Sequence, residues 1–232
     1  MLIQRPLAPA SARPNVNALL AALPADVQQR LTALGARVPL QKSAVLIEAG
    51  AEQTHVYFPC SGLLSLQTTT QDGNSVEVAM IGREGLAALP FLGCATAAYT
   101  NVVTVAGEAL RLRADVAQAE CERNAALQRA LIQRWHGMIG EIANGSACHR
   151  FHTARQRLAR WLLMASDKIQ SSRIELTQEQ LAEILGLQRT GVTVANVALQ
   201  DAGAITSRHG RIRIVDRVRL QTAACECYVP SR

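Results

Sequence analysis

The stretch LTQEQLAEILGLQRTGVTVANVALQDAGAI, residues 176–205, decides how this chain is read. It holds two short amphipathic runs that meet at Gly186, and the second run opens on a cation, Arg189. Thr177 followed by Gln180 is a capping-box pattern, in which the hydroxyl accepts from an early helix amide and the glutamine reaches back. A helix is predicted from that point, burying Leu181, Ile184 and Leu185. Gly186 ends it by entering the left-handed region that side chains disfavour. A second helix is predicted from about Gln188, packed through Val192, Ala195 and Leu199. It leaves Arg189, Thr190, Thr193 and Val194 facing outward. Helices this short are marginal alone, so each must be stabilised by packing on the other, and two crossing steeply read as a helix-turn-helix.

The front of the second helix in such a motif is the part that enters a DNA major groove. Arg189 there can donate two hydrogen bonds to a guanine, and Val194 offers an apolar surface to a thymine methyl. The hydroxyls of Thr190 and Thr193 suit bases or phosphates. Thr177 and Gln188, at the two helix starts, belong to the same candidate surface. The next segment, AITSRHGRIRIVD at 204–216, alternates apolar and polar residues across His209-Gly210, a two-residue hairpin turn. This reads as a wing, with Arg208, His209 and Arg211 at its tip placed to meet phosphates. Two-helix turns also occur in proteins that never touch DNA, so the motif alone does not decide the function.

Charge along the chain adds a separate signal. Residues 1–148 carry 11 Lys+Arg and 11 Asp+Glu, whereas residues 149–232 carry 13 and 7, so the whole net charge of +6 lies in the last third. A basic module that meets a polyanion, attached to a neutral module, is the implied plan. With 232 residues the chain has room for about two domains. Its 49% apolar and 18% charged residues are a globular composition, with no apolar run long enough to span a bilayer. The opening MLIQRPLAPASARP lacks the apolar stretch of a secretory signal, and the chain is expected to be cytoplasmic and away from membranes.

Between about Val38 and Arg113 the sequence breaks into short β-type runs punctuated by glycines: Val45 to Ile47, Val56 to Phe58, Leu63 to Thr69, Ser75 to Met80, Val102 to Val105 and Ala109 to Arg113. Asp72-Gly73 is a hairpin turn signal. A small antiparallel roll or jelly roll is predicted, preceded by a helix using Leu19, Leu20, Leu23, Val27, Leu31 and Leu34, with Pro24 as an interruption. A metal-dependent jelly-roll enzyme would need several inward His and carboxylate ligands, and the region holds one histidine, His55. No catalytic triad pattern or phosphate loop stands out, and no enzymatic activity is expected. Six cysteines, at 60, 94, 121, 148, 225 and 227, include no C-x2-C pair that could begin a zinc site, and only Cys225 and Cys227 are close in sequence. They are expected to be free thiols, and no metal site is expected.

After Asp115 the pattern turns helical. Leu127, Leu131, Trp135, Met138, Ile142 and Gly145 recur at steps of three and four, a narrow stripe of the kind that two helices share. They are the predicted dimer seam, the alternative being a helix packed on its own domain. A following helix, from about Thr153 to Lys168, is expected to bury Leu158, Trp161, Leu162 and Ala165 and to show Arg155, Arg157 and Arg160 outside.

Taken together, HVYFPCSGLLSL at 55–66, DGNSVEVAMIGREG at 72–85 and the 176–216 segment resemble the Crp/Fnr family of bacterial transcription regulators over nearly the full length. The resemblance implies an α+β chain: a cyclic-nucleotide-binding-like β-roll sensor over 1–115, a dimerisation helix over 116–152 and a winged helix-turn-helix over 153–232. It further implies a homodimer on a two-fold symmetric operator in double-stranded DNA, with RNA polymerase as a candidate partner. Family members that bind cyclic nucleotides use a glutamate and an arginine inside the roll. Here no lysine or arginine occurs from Glu84 to Leu110, and Ile142 and Ala143 stand about where polar residues would meet the purine. Cyclic AMP is therefore not expected to bind. An iron-sulfur cluster is not expected either, since the branch that carries one uses N-terminal cysteines and none precedes Cys60. Val194 replaces an arginine common in relatives, and Asn196 falls at a position that periodicity would make apolar. The reading is a sequence-specific DNA-binding regulator with no evident cofactor. A second reading is a cyclic-nucleotide or small-molecule binding module acting through protein partners.

Overall fold

The computed structural model describes residues 16–88 and 95–230, so Cys94 lies outside the described residues. Two short helices, α1 (Ala18–Ala21) and α2 (Ala25–Leu34), are separated at Pro24, as the missing N–H of proline requires. Leu19, Leu20, Leu23, Val27 and Leu31 are buried. Leu34, predicted with them, is half exposed at the helix end.

Seven strands then build two antiparallel sheets: β1 (Ala36–Leu40), β2 (Val45–Ile47), β3 (His55–Pro59), β4 (Leu63–Thr69), β5 (Ser75–Ile81), β6 (Thr100–Val105) and β7 (Gly107–Arg113). The orders are β1-β7-β3 and β2-β6-β4-β5. The six predicted strands are present to within two residues at each end. The unpredicted strand, β1, contains Pro39 and sits at a sheet edge, where a missing donor is tolerated. The Asp72-Gly73 turn joins β4 to β5, with Gly73 at φ +81°.

A short helix, α3 (Ala114–Arg123), packs back on the roll through Ala117 and Cys121. The long helix, α4 (Ala125–Phe151), begins only after it, capped by Asn124 Oδ1 on the amides of Ala126 and Leu127. At 27 residues α4 is about 40 Å long.

The C-terminal part comprises α5 (Ala154–Ile169), β8 (Arg173–Glu175), α6 (Gln178–Leu185), α7 (Arg189–Asp201), β9 (Ile205–Arg208), β10 (Arg211–Ile214) and α8 (Arg217–Ala223). Its core is continuous with the roll: Leu63 and Met80 share one cluster with Leu158, Trp161, Leu162, Leu181, Leu185, Val192 and Leu199. Polar contacts cross the same boundary. Trp161 Nε1 donates to Glu77 Oε1 at 2.8 Å, and Lys168 Nζ lies 2.6 Å from Glu84 Oε1. The prediction that Arg155, Arg157 and Arg160 all face outward holds for Arg155 alone. Arg157 is buried and donates to Leu185 O, a carbonyl at the end of α6 that has no partner within its helix, and Arg160 Nε donates to Cys227 O at 3.2 Å.

Burial pushes the Glu77 carboxyl up to about 7, against the opposing pull of the Trp161 hydrogen bond and the Lys168 and Arg160 charges. Its Oε2 is buried without a hydrogen-bond partner among the described residues. Between the ordinary value of 4.5 and about 7 the native state holds a proton that the unfolded chain has released. Stability from this group is thus full at low pH and falls as pH rises through the window, by about 3 kcal/mol. We predict that Glu77→Gln removes this loss. Thermal melting of both proteins across the pH range should show a variant that matches the parent in acid and exceeds it above neutrality. A pH-independent difference would contradict the assignment.

Candidate nucleic-acid interface

The turn between α6 and α7 is built as its residues dictate. Thr177 Oγ1 accepts from Gln180 N at 3.2 Å, and Gln180 Oε1 accepts from Thr177 N at 3.1 Å, completing the capping box. Gly186 takes φ +56°, and Leu187 N reaches back to Ala182 O at 2.9 Å. A β-carbon on Gly186 would also lie 3.1 Å from Val76 Cγ2 of β5, so the turn is both left-handed and pressed on the roll. Val192, Ala195 and Leu199 of α7 are buried, as their spacing predicts. Asn196 is buried too, and its Oδ1 has no hydrogen-bond partner among the described residues; the structure gives no account of that group.

Gln188, Arg189, Thr190 and Val194 form an exposed face at the front of α7, with Val194 70% exposed. No side chain caps the α7 N-terminus, so its first amides point outward unpaired by a cap and suit a phosphate oxygen. Thr193 belongs to this face only in part. It is half-buried, its hydroxyl lies 2.7 Å from Gln178 Oε1 and 3.0 Å from Arg189 O, and it ties α7 to α6. Val197, one turn beyond Thr193, extends the exposed face; its i+3 spacing from Val194 was the signal for it.

The wing forms as predicted, with a third strand added. β10 pairs with β9 in the register Arg211 to Arg208, which leaves His209 and Gly210 as a two-residue turn. Both have positive φ, +49° and +71°, as the hairpin type that follows strand twist demands. β8 completes the sheet on the other side of β10. Arg208, His209 and Arg211 are exposed at the tip. Arg211 Nε is 3.5 Å from Glu175 Oε1, a pair of two exposed groups that is worth little and competes weakly with a phosphate. Arg213 lies two residues from Arg211, on the same strand face, and is exposed as well; strand alternation was its signal in the sequence. Thr177 is exposed at the start of α6, and a β-carbon on Gly210 would lie 3.4 Å from its methyl group, so wing and motif abut.

Three of the six predicted seam residues on α4 are buried within this chain and the other three are half-buried. Leu127 and Leu131 are buried in the roll's core, Met138 packs with Leu64, Ile81 and Val103, and Trp135 and Ile142 flank that cluster. Gly145 is half-buried beside the cleft under α5. The stripe is the face that α4 turns to its own chain, because the roll needs a lid and the longest apolar side chains supply it. A second stripe is left open. Ile132 is 55% exposed, Ile139 49%, and Ala143 and Ala147 lie exposed one and two turns further on. A β-carbon on Gly140 would meet nothing within 4 Å.

In the roll, burial alone would raise the Glu84 pKa, yet the charges of Lys168 and Arg134 outweigh it and hold the carboxylate below its usual range. Glu84 Oε1 receives Lys168 at 2.6 Å and Arg134 at 3.4 Å. The neighbouring cation, Arg83, is turned to Val16 O and Gln170 Oε1.

Residues 156–223 match the family model of the Crp-like helix-turn-helix domain, and residues 37–124 match that of the cyclic nucleotide-binding domain. No curated protein matches the sequence. Among solved structures the chain is similar to FixK2 from Bradyrhizobium japonicum, with a TM-score of 0.71 at 15% identity, covering 82% of this chain and 98% of that one. A transcriptional regulator of the CRP family from Thermus thermophilus gives 0.70 at 16%, covering 84% and 100%. The c-di-GMP responsive global regulator CLP of Xanthomonas campestris gives 0.67 at 14%, covering 82% and 99%. At these identities the likeness concerns the fold. A cyclic nucleotide would need a cation for its phosphate; of the groups just described, Glu84 is held by Lys168 and Arg134, and Arg83 is engaged by Val16 O and Gln170 Oε1.

Arg189 is exposed and holds no ion pair among the described residues, with Glu183 or any other carboxylate. We predict that Arg189→Ala leaves the melting temperature within the range of an ordinary surface substitution, about 0.5 kcal/mol or less. A clear drop on calorimetry would show a structural role for this arginine.

Proposed function

Because this chain belongs to the Crp/Fnr family of DNA-binding transcription regulators, we propose that it acts as a homodimer that reads a two-fold symmetric operator through Arg189. The observation that carries this reading is the free front of α7: an exposed arginine, an uncapped helix start and an apolar Val194, flanked by the basic wing tip. Arg189 discriminates a base, Thr190 and Gln188 sit beside it, and Arg208, Arg211 and Arg213 hold phosphates. Among the described residues no helix is long and apolar enough to cross a membrane.

The dimer is proposed through the open stripe of α4, Ile132, Ile139, Ala143 and Ala147, with Gly140 allowing close backbone approach. In such a dimer the two α7 fronts would meet half-sites about one helical turn apart. The roll is read as a sensor that does not use a cyclic nucleotide phosphate, on the strength of Glu84 being committed to Lys168 and Arg134.

Selection of bound fragments from random DNA tests the main reading, with an inverted repeat as the expected product. An inert protein at low salt would overturn it, since even non-specific binding by a basic dimer is visible there. On the selected site, Arg189→Ala should lose roughly 1–3 kcal/mol of discrimination at one symmetric pair of positions. Arg211→Ala should weaken all sequences alike and make the salt dependence shallower by about one unit per contact. In sedimentation, Ile139→Asp should shift the protein to monomer, because two facing carboxylates would be buried unpaired; an intact dimer would place the seam elsewhere.

A further inference from the structure

The fold gathers four ligand-type side chains that the sequence scatters over 80 positions. Cys148 lies in the last turn of α4, His152 is the residue that ends that helix, and Cys225 and Cys227 follow α8. Their Sγ and ring nitrogen atoms all lie within 4.8 Å of one another. Cys148 Sγ is 3.5 Å from Cys225 Sγ, and Cys227 Sγ is 3.7 Å from His152 Nδ1. The described cysteines are free thiols, and three of them gather with His152 because α8 returns the chain to the end of α4.

We propose that Cys148, His152, Cys225 and Cys227 bind one zinc ion in a closed Cys3His site that staples the C-terminal segment to the end of α4. Zinc–sulfur bonds of about 2.3 Å and a zinc–nitrogen bond of about 2.0–2.1 Å at tetrahedral angles separate ligands by roughly 3.5–3.8 Å. Two of the separations already have that length, and drawing in the widest takes about 1 Å. Cys148 and His152 are four apart at a helix end, and a single residue separates Cys225 from Cys227, so each pair can supply two corners of the tetrahedron.

The surroundings argue for a metal independently of the ligand count. His152 Nε2 lies 3.2 Å from Glu226 Oε1. A carboxylate in that place holds the ring proton on Nε2 and leaves the Nδ1 lone pair aimed at the sulfurs, the outer arrangement that orients metal-bound histidines. Arg160 donates to Cys227 O at 3.2 Å and brings a positive charge to a centre that three thiolates and one dication would leave at −1. Tyr228 N donates to Cys225 O at 3.0 Å and its hydroxyl to Asp167 at 2.7 Å, which pins the ligand loop from its far side. A disulfide between Cys148 and Cys225 would use two of the four groups and leave the oriented histidine and Cys227 without a role.

The experiment uses the full chain, reduced and stripped with chelator, titrated with zinc against a competing dye and with cobalt(II) as a spectroscopic probe. One ion per chain is expected, with the cobalt form showing tetrahedral d–d bands and thiolate charge transfer, and with zinc raising the melting temperature. Since Cys148 is buried and its replacement can unfold the protein, Cys227→Ser and His152→Gln carry the test, each checked for native circular dichroism. Both should lose the tetrahedral cobalt spectrum, and Glu226→Gln should weaken zinc by about 10-fold or more. Binding of less than one ion per chain, an octahedral cobalt spectrum, or a site unaltered in Cys227→Ser and His152→Gln would each overturn the proposal. So would a Cys148–Cys225 disulfide that forms in air and leaves no zinc capacity after full reduction. None of these readings involves DNA, so failure here is separate from failure of the proposed function.

Discussion

Lys168 is the group on which the arrangement of the two halves depends. It is almost fully buried on α5, yet its ammonium lies 2.6 Å from Glu84 of the roll and 3.4 Å from Glu141 of α4. Arg134 of α4 closes the figure, at 3.4 Å from Glu84 and 2.9 Å from Glu141. Two cations and two carboxylates cancel in a place where an unpaired charge would be strongly destabilising, on the order of 3–5 kcal/mol for loss of one partner. Such a cluster adds little net stability over an apolar contact, but it fixes one relative position for three elements. The hydrogen bond from Trp161 to Glu77 lies on the same boundary and works in the same sense.

That boundary explains why two short helices suffice for the C-terminal part. α6 has 8 residues and α7 has 13, lengths that are unstable alone in water. Their apolar faces close on α5, whose own side chains run into the roll through Leu63 and Met80. The front of α7 is thereby left exposed without endangering the fold. Stability comes from one face of each helix, and the other face is free to carry recognition.

α4 divides its surface in the same way. One stripe covers the roll, and a second stripe about 100° round the helix, with Ile132, Ile139 and the bare backbone at Gly140, is left uncovered by this chain. A helix with apolar residues on two faces has a low amphipathic contrast, which is why the sequence does not say which face is covered by its own chain.

Much of the fold and half of the site were legible in the sequence by itself, wherever local chemistry leaves one choice. The capping box at Thr177, the left-handed Gly186, the buried spacing of Val192, Ala195 and Leu199, and the two-residue turn at His209-Gly210 each depend on residues within one or two turns of each other. So do the strand runs and the placement of Arg189 on an exposed face. Tertiary structure alone decided which stripe of α4 is covered, since Leu127, Leu131 and Met138 fit a roll as well as a second helix. It alone buried Arg157, joined Thr193 to Gln178, and committed Glu84 to a lysine 84 residues away. The cysteine and histidine cluster belongs to the same class. Cys148 and Cys225 are 77 residues apart, and no spacing rule reaches across α5 to α8; only the packing of those helices brings the chain end back to α4.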